Sequence, residues 1–270
     1  MDDAQLKEYF KSTFNAVADG YDGTPTRFFP ACAAHAVSLL DLQGDEHILD
    51  VATGTGWVAI EAAKQLPSGH VTGIDLSDAM LVQAARKTAE ENASNITLTE
   101  MDMTNLGFPA DHFDAAVSAF SIFFVEDMDA QLKHIASKVK DGGKIITSTF
   151  FDTAFSPLVT LFLDRLETYG IEIPSLAWKR VATTGQCVAL FDNAGLKDVS
   201  CQQVVHGYHF RDAADWWYMI WNAGFRALVS QLSADDLIKF KQEHLAEVNE
   251  LATDKGVWLE LNILYTLGKK

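Results

Sequence analysis

Apolar residues recur at helical spacing through the first 42 positions. Leu6, Phe10, Phe14 and Val17 share one face over residues 4–19, and a second helix is predicted over 26–42. The segment between them, ADGYDGTP, is punctuated by Gly and Pro and reads as a loop. From residue 47 the pattern changes to short apolar runs separated by amphipathic stretches. HILDVA (47–52), HVTGID (70–75), ITLTEMD (96–102), FDAAVSAF (113–120) and KIITSTF (144–150) read as strands. Helices are predicted over 57–66, over 78–92 behind a Ser77 cap, and over 128–140, the last closed by Asp141-Gly142-Gly143.

After Phe150 the alternation is interrupted. Residues 156–170 read as an inserted helix, 183–194 as a scaffold helix ended by Gly195, and 197–210 as one long strand. A second helical insertion starts at Asp212, with Trp217, Ile220, Trp221, Gly224 and Leu228 on one stripe. Another helix runs from a Ser233 cap, and 256–268 is a last strand that pairs with 197–210 as an antiparallel edge.

Strands alternating with helices, apolar almost throughout, imply a parallel sheet covered on both faces. Right-handed crossovers then give a doubly wound, Rossmann-like α/β sheet of seven strands whose last strand is antiparallel. The expected organisation is one domain over 1–270. Residues 1–45 form a helical cover, and the insertions 151–180 and 211–256 form a helical lid. Ligands of such sheets bind beyond the carboxyl ends of the strands. Asp50, Asp75, Asp102 and Phe120 all fall at that end.

Composition narrows the function. The chain carries 21 Lys and Arg against 37 Asp and Glu, a formal charge of −16. That balance disfavours nucleic acid as a partner. Cys32, Cys187 and Cys201 are widely spaced, with no CxxC pair, so no metal site or disulfide framework is expected. The acidic N-terminus is no signal peptide, no run is long enough to span a bilayer, and a cytoplasmic location is expected.

The stretch DVATGTGW (50–57) holds the first candidate chemistry. Gly54, Gly56 and Ala59 spell G-x-G-x-x-A, and Asp75 lies about 20 positions on, as a nicotinamide-binding turn requires. Asp50 argues against that reading. A carboxylate at the end of the first strand would repel a pyrophosphate and attract a ligand bearing an ammonium. S-adenosylmethionine has an ammonium, a ribose diol and an adenine amine, and Asp50, Asp75 and Asp102 match them in order. An NAD-dependent oxidoreductase and a non-catalytic nucleotide-binding domain are the alternatives.

The ordered set HILDVATGTGW, VTGIDLSDAML, FPADHFDAAVSAF and KVKDGGKII resembles the motifs of class I S-adenosylmethionine-dependent methyltransferases. DVATGTG, with Ala52, and FNAVADGYDG (14–23) are similar to the ubiquinone/menaquinone methyltransferase group. The resemblance implies S-adenosylmethionine as cofactor and assigns roles. Gly54 and Gly56 let the backbone approach the methionine moiety, and Asp75 binds the ribose. Leu76 and Met80 pack on adenine, and Asp102 accepts from its amine beside Met101 and Met103. Ala119 and Phe120 face the methionine chain, and Tyr21 closes over the cofactor.

The acceptor is expected to be a small hydrophobic or aromatic molecule. Phe123, Phe124, Phe151, Trp178 and Trp217 are candidates for the lid above it. Methyl transfer needs a base only when the acceptor must lose a proton. His206 and His209 are the weak candidates for that role, and in a regular strand they face opposite sides.

Overall fold

A computed structural model describes residues 3–270. Its N-terminal part is α1 (Asp3–Val17) and α2 (Phe28–Ser38), joined by two short 3-10 turns. The alternating region follows as β1 (His47–Val51), α3 (Trp57–Ala63), β2 (His70–Asp75), α4 (Asp78–Glu90), β3 (Ile96–Glu100), β4 (Phe113–Ala119), α5 (Met128–Lys138) and β5 (Val139–Phe150). The C-terminal half contains α6 (Leu158–Thr168), α7 (Thr184–Asn193), β6 (Lys197–Val205), β7 (Tyr208–Phe210) and α8 (Ala213–Asn222). It ends with α9 (Arg226–Val229), α10 (Ala234–Glu250), β8 (Val257–Leu259) and β9 (Asn262–Lys269).

Seven strands form the main sheet in the order β3-β2-β1-β4-β5-β9-β6. β9 runs antiparallel to both β5 and β6. Strand order reverses between β1 and β4, so the crevice for a ligand lies at their carboxyl ends. Ile48, Leu49 and Val51 of β1 are wholly buried, as expected of a parallel strand covered on both faces. Local chemistry agrees with the tertiary fold. The Ser77 hydroxyl accepts from the Met80 N–H at the start of α4, Thr183 and Gln186 form a capping box on α7, and Ser233 caps α10.

Three expected elements come out differently. The long strand 197–210 breaks at His206-Gly207, and β7 leaves the main sheet to pair with β8 in a separate two-stranded ribbon. A Cβ at Gly207 would lie 2.5 Å from the Trp258 ring, so the break is tightly packed. The last strand is likewise split. Its second half, β9, lies inside the sheet, and β6 forms the edge instead. Asp141-Gly142-Gly143 is not a loop after a helix but part of β5, where the register against β4 shifts between Phe113 and Ala115.

The two insertions pack on each other as well as on the sheet. Phe162 of α6 contacts the rings of Trp216 and Phe240 at 6.4 and 5.9 Å. Arg165 of α6 pairs with Glu243 and Glu247 of α10. The Trp216 indole N–H donates to His244 Nε2 at 2.9 Å in the same buried pile. Among the described residues no helix is long and apolar enough to cross a membrane.

Candidate active site

Three strands deliver a carboxylate to one rim, and each is held differently. Asp50, on the central strand β1, is 1% exposed. One of its oxygens accepts from the Thr53 hydroxyl at 2.5 Å, and the other, Oδ1, is buried without any partner. Burial pushes this carboxyl up to about 7, the charge of Asp75 adds to the effect, and the Thr53 hydroxyl and, more weakly, the Ala59 backbone N–H oppose it. Gly73, in register with Asp50 on β2, permits that bond. A Cβ there would meet the Thr53 hydroxyl at 3.0 Å.

Asp75 ends β2. It accepts from the Gly54 N–H and the Ser77 N–H, each at 2.8 Å. Burial raises its carboxyl, and those backbone donors oppose the shift. Asp102 follows β3. It accepts from the Thr104 N–H and hydroxyl and pairs with Lys7 of α1 at 2.9 Å. Burial works against its charge, but Thr104 and Lys7 hold it below the ordinary value.

The turn after β1 alternates through the left-handed region at Ala52, Gly54 and Gly56, with φ of 56°, 57° and 88°. The two glycines do different work. A Cβ at Gly54 would meet nothing within 4 Å, so its backbone borders open space. A Cβ at Gly56 would lie 3.1 Å from that of Ala84, so Gly56 serves the packing of α3 against α4. Gly54→Ala is expected to weaken ligand binding at least tenfold while costing about 1 kcal/mol of backbone strain. Gly56→Ala is expected to lower the melting temperature and leave binding within threefold. Calorimetry on both variants checks the contrast.

One pocket gathers these groups. Tyr21, Asp50, Ala52, Gly54, Asp75, Leu76, Met80, Met101, Asp102, Met103, Ala119 and Phe120 all line it, and Gly56 does not. Counting the part open to solvent, it encloses about 1250 Å³. Its cover differs from the expected lid. Of the lid candidates only Phe124 reaches the pocket. Phe123, Trp178 and Trp217 are buried in the core, Trp178 beside Phe150 and Phe155, and Trp217 against Trp221 and Phe240. Phe151 also lies outside, its N–H bound to the Asn262 carbonyl.

The insertions turn their aromatic stripes toward one another, and α1 closes the site with Leu6, Lys7, Phe10, Lys11 and Phe14. Lys7 and Lys11 sit one turn apart on the covering face. That spacing within an acidic N-terminus was the available signal for their role. The loop after α1 is pinned as well. Asp22 accepts from Thr55 and the Trp57 indole and pairs with buried Lys87 at 2.7 Å. Neither histidine candidate enters the pocket. His206 shares a hydrogen bond with the Tyr265 hydroxyl at 2.8 Å, and His209 packs on Trp258 in the outer ribbon.

Residues 48–143 match the family model described as "Methyltransferase domain". The ubiquinone/menaquinone biosynthesis C-methyltransferase UbiE of Geobacter sp. (strain M21) is 31% identical, over 62% of this chain and 72% of its own length. The chain belongs to the class I S-adenosylmethionine-dependent methyltransferases. Aklanonic acid methyltransferase DauC of Streptomyces sp. (strain C5) is 29% identical to this methyltransferase, over 59% of it and 77% of the relative. Other curated relatives match it over 45% to 61% of their own length. The solved structure of the [4+2]-cyclase SpnF superposes with a TM-score of 0.62 over 98% of this chain and 96% of its own, at 16% identity. That likeness shows the fold.

S-adenosylmethionine is the cofactor of this methyltransferase. The pocket fits it in two observable ways. Asp50 Oδ1 is a buried acceptor with no donor, and Gly54 leaves room where a side chain would stand.

Proposed function

We propose that this methyltransferase acts on a small hydrophobic or aromatic organic acceptor, bound beside the cofactor under α1. The observation that carries the reading is the division of the pocket into a polar rim and an aromatic wall. The rim holds three carboxylates. The wall is a chain of rings, with Phe124 5.5 Å from Phe14, Phe14 6.4 Å from Tyr21, Tyr21 4.8 Å from Phe29 and Phe29 5.9 Å from Phe120.

On this reading Asp50 Oδ1 takes the ammonium, Asp75 the ribose hydroxyls and Asp102 the adenine amine. Leu76, Met80, Met101 and Met103 pack on the adenine, and Ala119 and Phe120 border the methionine chain. When bound, the cofactor supplies a methyl group on a sulfonium. The protein's part is alignment and exclusion of water, which an apolar wall and a closed helix provide. The names of the relatives support a small-molecule acceptor, since they include aklanonic acid and ubiquinone/menaquinone biosynthesis enzymes.

An oxidoreductase reading would need a pyrophosphate beside Asp50, where the carboxylate opposes it. Calorimetric titration separates the two. S-adenosylhomocysteine is expected to bind in the micromolar range or tighter, and NADH is expected to give no heat. Binding of NADH alone would reverse the assignment. A screen of phenols, quinones, amines and carboxylic acids for cofactor turnover then defines the acceptor.

A further inference from the structure

Lys87 of α4 carries a buried charge that methyl transfer does not use. The residue is 7% exposed and does not line the pocket. Its ammonium lies 2.7 Å from Asp22 Oδ2, 3.2 Å from the Thr55 hydroxyl and 3.6 Å from the centre of the Trp57 ring. On its other oxygen, Asp22 accepts from the Thr55 hydroxyl at 2.9 Å and the Trp57 indole at 2.8 Å. Asp22 does not line the pocket either, but Tyr21 beside it does, as do Thr55 and Trp57. The ion pair therefore joins the loop after α1, the glycine turn and the start of α3, all of which border the pocket, from just outside it.

Stability does not account for a charge at this place. A buried ion pair is often replaced by apolar residues of similar volume with no loss of stability. What an apolar pair lacks is direction. Asp22 spends one oxygen on Lys87 and the other on Thr55 and Trp57, so the loop has one seat on the turn. The base of that seat is firm, because Ala84, three residues before Lys87, packs against Gly56 of the same turn. The other bonds of the loop run elsewhere. Thr26 donates to the Tyr21 carbonyl, Tyr218 donates to the Gly20 carbonyl, and Asp19 accepts from Gln83 on the outer surface of α4. The Tyr21 ring itself lies on apolar neighbours, stacked on Phe29 and edge-on to Phe14, which fix no direction along the wall.

We infer that Lys87 is a positioning residue: through Asp22 it seats the loop that carries Tyr21 on the glycine turn, and so holds that ring closed over the bound cofactor. The inference rests on the methyl-transfer reading above, in which Tyr21 covers the cofactor. Its consequence is kinetic. A seated cover slows departure of the ligand more than it changes arrival.

Surface plasmon resonance on the intact protein with S-adenosylhomocysteine tests it. Lys87→Met is expected to speed release about tenfold and to leave the association rate within about threefold of wild type. It also strands the Asp22 charge, so the melting temperature should fall. Adding Asp22→Asn removes the stranded charge and keeps an acceptor for Thr55 and Trp57. The double variant should melt close to wild type and still release the ligand about tenfold faster, which separates positioning from stability. It also serves as the measured protein if Lys87→Met alone does not fold. In a Tyr21→Ala background the change at Lys87 should alter release less than about twofold, because its effect runs through that ring.

Unchanged release in the Lys87 variants, release that recovers together with the melting temperature in the double variant, or an undiminished effect in Tyr21→Ala each overturns the inference. In those cases binding of S-adenosylhomocysteine to the wild type leaves the methyl-transfer reading standing. Failure of the wild type to bind it overturns both.

Discussion

Asp50→Asn is expected to make the ligand-free protein more stable and unable to hold its cofactor. The carboxyl stands at the centre of the sheet, 1% exposed, with one oxygen unpartnered. Burial raises it from 3.8 to about 7. The folded chain therefore keeps a proton that the unfolded chain gives up. As pH rises from about 4 through about 7, stability is progressively lost, up to about 4 kcal/mol at 1.36 kcal/mol per unit. Asparagine keeps an acceptor for the Thr53 hydroxyl and removes the buried charge. At pH 8 its melting temperature should exceed that of wild type by several degrees, and the difference should vanish near pH 4. Equal melting curves at pH 8 would remove Asp50 as a stored cost.

The same charge is what an ammonium ligand needs. Affinity for S-adenosylhomocysteine should fall about tenfold per pH unit below pH 7, where the free carboxyl protonates. In Asp50→Asn it should fall about 100-fold or more, as for one partner lost from a buried charged pair. Adenosine, which lacks the amino-acid portion, should bind the variant as it binds wild type.

Asp75→Ala is expected to fail with both ligands. Its carboxylate does two jobs, accepting from Gly54 and Ser77 and presenting lone pairs to the pocket. Removal orphans two backbone donors at the start of α4 and in the glycine turn, a cost of about 1–3 kcal/mol each where water cannot replace the acceptor. S-adenosylhomocysteine and adenosine should both bind about 100-fold more weakly, since a diol acceptor is lost with the shape of the turn. Loss for S-adenosylhomocysteine alone would move Asp75 away from the ribose. Calorimetry with the two ligands on the two variants gives four affinities, and only one pattern fits the assignments.

β1, β2 and β4 were legible because burial on both faces makes each largely apolar, and the edge strand β3 because Ile96 and Leu98 alternate with polar residues. Ser77, Thr183 and Ser233 marked helix starts because their capping bonds are local. The break at His206-Gly207 was not legible, because Gly207 packs against Trp258 and the Leu259 carbonyl, which are distant in sequence. In the site, Asp50, Asp75 and Asp102 could be read from their places at strand ends. The orphaned oxygen of Asp50 and the Lys7 partner of Asp102 could not, since both depend on what packs above the rim.

Amphipathic stripes told which faces are buried but not against what. Trp178 and Trp217 therefore looked like a lid and prove to be core, while Phe10 and Phe14, on the first helix of the expected N-terminal cover, line the pocket. The two glycines of the turn looked equivalent in sequence. Only the neighbours of Gly56 reveal that it serves packing rather than the ligand.

The central claim is that three strand-end carboxylates divide one cofactor among them. A crystal structure with S-adenosylhomocysteine tests it most directly. The ligand's amino group is expected within hydrogen-bond distance of Asp50 Oδ1, its ribose hydroxyls on Asp75, and its adenine between Met80 and Met101 with the amine toward Asp102. An amino group turned away from Asp50, or a ligand bound outside the pocket under α1, would contradict it.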